Sequence, residues 1–202
     1  MAWLDAVEAE CETISGQHRE ALRLIDHAEF LLATGSPYAS PDWFTWFSPA
    51  RLAAFKGNTQ LKAGHLPQAK ETLLATLNDP SIAGNRGRSV ILGDLAAVEA
   101  AQHNPEGACD YAIQALDQLG RQWYATGMDR VLEVRKALQP SAELDCVQAL
   151  DDRLYDWQAT LSTLQRWARQ SCRATRPANQ PATSAPDSQP GHPTRSQPTG
   201  HG

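Results

Sequence analysis

The chain has 202 residues, 42% of them hydrophobic, and a formal net charge of −5. That length holds one domain with a sizeable core and leaves room for a tail. The acidic balance argues against direct nucleic-acid binding, because phosphate contacts need clustered Lys and Arg.

The charge is unevenly held. The chain is acidic up to Leu164; beyond it Arg166, Arg169, Arg173, Arg176 and Arg195 stand against Asp187 alone. These arginines are too sparse for a strong electrostatic site. Cys11, Cys109, Cys146 and Cys172 show no CxxC spacing, and three lie in helix-like runs. They read as reduced, mostly buried thiols of a cytoplasmic protein. The amino terminus "MAWLDAVEAECE" has no basic stretch followed by an apolar one, so it does not read as a signal peptide. No apolar run approaches transmembrane length, and no membrane association is expected.

Ala, Leu, Glu, Gln and Arg dominate the body, and these are strong helix formers. Breakers cut it at Gly16, "TGSP" 34–37, "SP" 48–49, Gly64, "NDPSIAGN" 78–85, "HNP" 103–105, Gly120, Gly127 and "QPS" 139–141. Between them the sequence predicts helices near 2–14, 17–33, 49–63, 67–78, 87–102, 105–119, 124–138 and 143–168. No alternating Val, Ile and Thr run predicts a strand. The remainder is Pro, Ser, Thr, Gln and Gly with almost nothing apolar to bury, so it cannot offset its ordering entropy. The expected division is a helical repeat domain over 1–168 and a disordered tail over 169–202.

The helical part repeats itself. Gly16 lies five residues before Ala21, Gly64 five before Ala69, and His103 five before Ala108. Aligned on those alanines, small residues recur earlier at Ala9, Gly57 and Ala96. Seven places after the alanines stand Ala28, Thr76 and Ala115; Ile25, Leu73 and Ala112 fall between. Two helices of a hairpin approach closely only where side chains are small, so a small residue on one should face a small residue on the other. Positions four and seven later share a helical face and bury against the next unit. Stacked hairpins then share a core that one hairpin cannot build.

This pattern resembles tetratricopeptide repeats, with Ala9, Ala21 and Ala28, Gly57, Ala69 and Thr76, and Ala96, Ala108 and Ala115 at the repeat-packing places. It departs where that family carries an aromatic, since Asp5, Ala53 and Leu92 stand there, and its linkers are long. The resemblance implies an all-α, right-handed tetratricopeptide-like array of about three helical hairpins with a C-terminal helical cap. A narrower resemblance rests on "WFSPARLAAFKGNTQLKAGHLPQAKETL", "RSVILGDLAAVEA", "GACDYAIQALDQLGRQWYATGMDRV" and "LDDRLYDWQATL". These runs look like the C-terminal repeat region of actinobacterial Xre-type helix-turn-helix transcriptional regulators. In that family a DNA-binding domain precedes the repeats. None is read before Trp3, so DNA binding is not expected to carry over.

Few residues point to chemistry. "DDRLYD" 151–156 resembles the aspartate-rich motif with which all-α isoprenoid synthases hold magnesium, but no second metal motif accompanies it. A solvated helix face is the simpler reading. No histidine pair has the i, i+4 spacing of zinc helices, and "KGNTQLKAG" lacks the order of a phosphate loop. "PDWFTWF" 41–47 places Trp43, Phe44, Trp46 and Phe47 before a helix that Ser48 caps and Pro49 opens. These aromatics either plug one end of the array or anchor a peptide or subunit. Arg130 is expected to pair locally with Asp129 or Glu133.

The expected function is therefore a protein-interaction or regulatory-sensor module without enzyme activity, cofactor or metal. Its partner would be a protein or peptide held by the first helix of each unit, with Asn58, Lys62, Arg88 and Asp94 as candidate contacts. Two alternatives stand beside it: a small magnesium-dependent all-α enzyme using 151–156, and a homodimeric or larger structural adaptor joined through "WFTWF".

Overall fold

A computed structural model describes residues 2–35 and 47–174. The described residues form eight helices and no strand. They are α1 (Ala2–Ile14), α2 (His18–Thr34), α3 (Pro49–Lys62), α4 (Leu66–Leu77), α5 (Arg88–Ala101), α6 (Pro105–Arg121), α7 (Ala125–Ala137) and α8 (Asp145–Ala174). Short 3-10 turns stand at Pro80–Ile82 and Gln139–Ser141. The protein is all-α, as its composition and breakers predict. Helix α8 runs on past 168 to Ala174, and the rest of the expected tail lies outside the described residues. By its contacts the chain divides into Met1–Ala159 and Thr160–Gly202, and the apolar core lies in the first of these.

Three hairpins close in the same way. Gly16 (φ 78°), Gly64 (φ 81°) and His103 (φ 60°) all take the left-handed conformation. The next residue's N–H reaches back five places in each: Gln17 to Glu12 O at 2.8 Å, His65 to Gln60 O at 2.9 Å, Asn104 to Glu99 O at 2.9 Å. This is the left-handed helix stop that satisfies otherwise unpaired carbonyls. The same residues accept the first hydrogen bond of the following helix from Ala21, Ala69 and Ala108. The recurrence of those alanines in the sequence is thus a recurrence of turn geometry.

Side-chain caps and prolines fix helix starts. Ser48 Oγ accepts from Arg51 N–H at 3.2 Å, and Asn104 Oδ1 accepts from Gly107 N–H at 3.2 Å. Proline occupies the first turn of α3, α4 and α6, where no N–H is needed.

Helices pair as α1 with α2, α3 with α4 and α5 with α6, and each pair rests on the helix that comes next. The first helices also meet one another in series, α1 on α3, α3 on α5 and α5 on α7. Three apolar clusters take the same order. One joins α1 and α2 to Phe47 and Leu52. The second joins α3 and α4 to Ile82 and to Ile91, Leu95 and Val98 of α5. The third joins α5, α6 and α7 to Val147, Leu150 and Leu154 of α8. Ala9, Ala21, Ala28, Gly57, Ala69, Thr76, Ala96, Ala108 and Ala115 are all buried.

The surroundings of Gly57 differ from the sequence expectation of a small residue facing it on the second helix. The space beside it is filled instead by Leu73 of α4, whose Cγ would lie 2.6 Å from an added Cβ. Leu73 is fully buried, so the glycine makes room for a large core side chain. A second close approach has no counterpart in the repeat pattern. Gly93 of α5 lies against Arg130 of α7, whose Cβ would be 2.5 Å from an added Cβ.

Two substitutions test this geometry by urea denaturation. His103→Gly relieves a left-handed side chain and is expected to stabilise by about 1 kcal/mol. Gly93→Ala drives its methyl into a neighbouring Cβ and is expected to cost about 1–3 kcal/mol. A neutral Gly93→Ala would mean that α5 and α7 cross elsewhere.

Candidate functional site

The first helices share more than a packing role. Between them lies a groove of about 540 Å³. Its lining takes Glu10 from α1 and Thr126 and Arg130 from α7, with Tyr124 just before that helix. With these come Arg51, Ala54, Phe55 and Asn58 of α3 and Val90, Ile91 and Asp94 of α5. These residues recur at three- and four-place steps because one face of each helix turns to the groove. Ser48, the cap of α3, and Ser81, Ile82, Asn85 and Gly87 of the α4–α5 link complete the lining. A volume of this size suits a peptide stretch or a small molecule.

A chain of polar contacts crosses the groove wall. Asn58 Nδ2 donates to Asp94 Oδ1 at 2.9 Å. Arg130 Nε stands 3.1 Å from the same oxygen, a charge contact without a well-aligned hydrogen bond. Arg130 Nη1 donates to Glu133 Oε2 at 3.3 Å, and Lys62 Nζ lies 3.6 Å from that oxygen. The set joins α3, α5 and α7.

Asp94 is the unusual member, since it is only 2% exposed. Burial pushes its carboxyl up from 3.8 to about 6. Arg130, then the Asn58 hydrogen bond, then Lys62 oppose that rise, while Glu133 adds to it. Arg86 lies over the Tyr124 ring, 5.2 Å from its centroid.

The sequence candidates scatter around this site. Asn58 and Asp94 line the groove and touch each other. Lys62 stands beside them through Glu133. Arg88 is not part of the lining; its Nη1 donates to Leu77 O at 2.9 Å and closes the end of α4. Phe47 is buried in the first apolar cluster. Trp43, Phe44 and Trp46 lie outside the described residues. Arg130 makes its local pair with Glu133 but also reaches Asp94, a long-range contact that local pairing rules do not supply. Arg51 and Phe55 join the lining without any motif to mark them, whereas Tyr124 and Arg130 belong to the polar–aromatic run "RQWYATGMDR", and the lone acid in "VILGDLAAV" marks α5 as a helix with one polar point in an apolar face.

The aspartates of 151–156 have other uses. Asp151 takes both a Nε and a Nη2 hydrogen bond from Arg135, the latter at 2.7 Å, and this holds its carboxyl below the usual range. Asp152 and Asp156 are exposed, and Arg153 pairs with Asp117 of α6. Among the described residues no group of three or more His, Cys, Asp or Glu is placed to hold a metal. Among them, too, no helix is long and apolar enough to cross a membrane. No protein-family model matches the chain, and neither a curated protein nor a solved structure matches it.

The Asp94 geometry carries a pH dependence. The folded protein holds this proton more tightly than the unfolded chain, so protonated Asp94 favours folding below pH 3.8 and that advantage is gone above about 6. The stability of the wild type minus that of Asp94→Asn is expected to fall by about 3 kcal/mol across this window. Denaturation curves of both proteins at several pH values measure it, and a difference that does not change with pH contradicts the assignment.

Proposed function

We propose that this chain is a protein-interaction or regulatory-sensor module whose groove between first helices holds a peptide segment of a protein partner. The observation that carries the reading is the groove itself: α3, α5 and α7 turn one face each, with Glu10 of α1, to a common lining of apolar and hydrogen-bonding groups. Phe55, Ile82, Val90 and Ile91 offer apolar contact, while Asn58, Asn85 and Tyr124 offer polar groups that orient a chain. The pairing of helices and the three like turns support a right-handed tetratricopeptide-like array related to the repeat region of bacterial helix-turn-helix regulators. A cytoplasmic location and absence of catalysis are part of the same proposal.

Random peptides displayed and selected on the full chain test it. Enriched peptides are expected to slow amide exchange in α3, α5 and α7. Phe55→Ala and Tyr124→Ala are each expected to weaken them about tenfold. Failure to enrich any peptide, or peptides that bind both variants unchanged, would overturn the reading.

A further inference from the structure

The groove carries a charge that the chain as a whole does not share. The protein is acidic, with a formal net charge of −5. Yet Arg51 and Arg130 line the groove, and Arg86 stands in sequence between two lining residues, Asn85 and Gly87. Arg86 is exposed and rests on the ring of Tyr124, which also lines the groove. A ring contact holds a guanidinium without neutralising it. Among the described residues no carboxylate pairs with Arg86. Asp94 does not use Arg130 fully either, since Arg130 Nε stands 3.1 Å from Asp94 Oδ1 without an aligned hydrogen bond.

The two acids of the lining offer less than their number suggests. Asp94 is 2% exposed and already meets Arg130 and Asn58, so a cationic group in the groove finds little of its charge. That leaves Glu10 of α1. Helix starts add to the arginines. Ser48, Gly87 and Tyr124, which cap α3, α5 and α7, all line the groove. The positive ends of three helix dipoles therefore border one cavity.

We propose that the groove selects acidic peptide segments, in which Asp or Glu side chains meet Arg86 and Arg130 while a neighbouring apolar side chain packs on Phe55 and Ile91. The inference rests on the groove's being a peptide site and adds the chemistry of the partner. A carboxylate gives a guanidinium two acceptor oxygens in one plane, which matches the fork of its N–H groups. A basic segment would face the same guanidinium groups with Glu10 as the acid left to receive it.

Three pools of short peptides test this on the full chain. All are blocked at both ends, so that side chains alone carry charge. Each pool alternates Leu or Phe with one kind of partner: Asp and Glu, Asn and Gln, or Lys. Fluorescence anisotropy of the labelled pools should show the acidic pool binding about tenfold more tightly than the neutral one, and the basic pool most weakly. The chain's overall charge pulls the other way, so this order reports the groove rather than the whole surface. Raising the salt from about 50 to about 500 mM should narrow the gap. Arg86→Ala changes an exposed side chain and should weaken the acidic pool about threefold while leaving the neutral pool unchanged. Arg86→Glu should weaken the acidic pool further. Phe55→Ala separates the two readings, because it should weaken every pool that enters the groove. Neutral or basic pools that bind as tightly as the acidic one, and lose affinity in Phe55→Ala, would refute the acidic class and leave the groove a peptide site. Acidic binding that Arg86→Glu does not weaken refutes it as well. No binding by any pool would sink both.

Discussion

The groove depends on how closely α5 and α7 cross. Gly93 has no side chain, and Arg130 of α7 fills the place a Cβ would take. One turn earlier Gly127 of α7 lies against Ser89, which is fully buried. Two glycines, one on each helix, bring the backbones together on one ridge. The consequence is chemical as well as steric. With Arg130 seated on Gly93, its guanidinium reaches the neighbouring Asp94, and Asp94 reaches Asn58 on α3. A bulkier α5 would leave the carboxylate buried without that partner.

Such a carboxylate is expensive to bury. Arg130 and Asn58 compensate it only in part, which is why its proton is held to about pH 6. Well-packed apolar residues in place of such a buried charged set often leave a fold as stable or more so. What the charged set does provide is orientation. It fixes an amide, a carboxylate and a guanidinium on three successive first helices, all at the edge of one groove. The other buried acid is satisfied differently. Glu99 takes Lys70 Nζ at 2.6 Å and Asn104 Nδ2 at 2.8 Å, one partner on each oxygen, and so stitches α4, α5 and the start of α6. Glu99 serves the convergence of a hairpin; Asp94 serves the lining of a cavity.

The fold is largely legible in the sequence because its signals are local. Breakers set the helix limits, and the step from Gly16, Gly64 and His103 to the alanines five places on marks three like turns. His103 is readable only by position, since a histidine does not announce a left-handed backbone. The partner of Gly57 is not readable. A small residue predicts that something comes close, and says nothing of whether a small or a large side chain fills the space. The site is legible in fragments for the same reason. Asn58 and Asp94 can be chosen from their units, but Arg130 lies a unit later, and the glycine that admits it is next to Asp94 on another helix. Arg88 shows the opposite error: a first-helix position near the turn closes a neighbouring helix end rather than facing the groove.

Helix α7 links the groove to the far end of the domain. One face gives Arg130 to Asp94 and Thr126 to the groove lining; another gives Val131 and Val134 to the third cluster, and Arg135 to Asp151 of α8. Trp123, just before it, meets Trp157 of α8 with ring centroids 5.6 Å apart. Both ends of α7 are therefore held by α8 through side chains, and α8 is in turn held to α6 by Arg153 with Asp117.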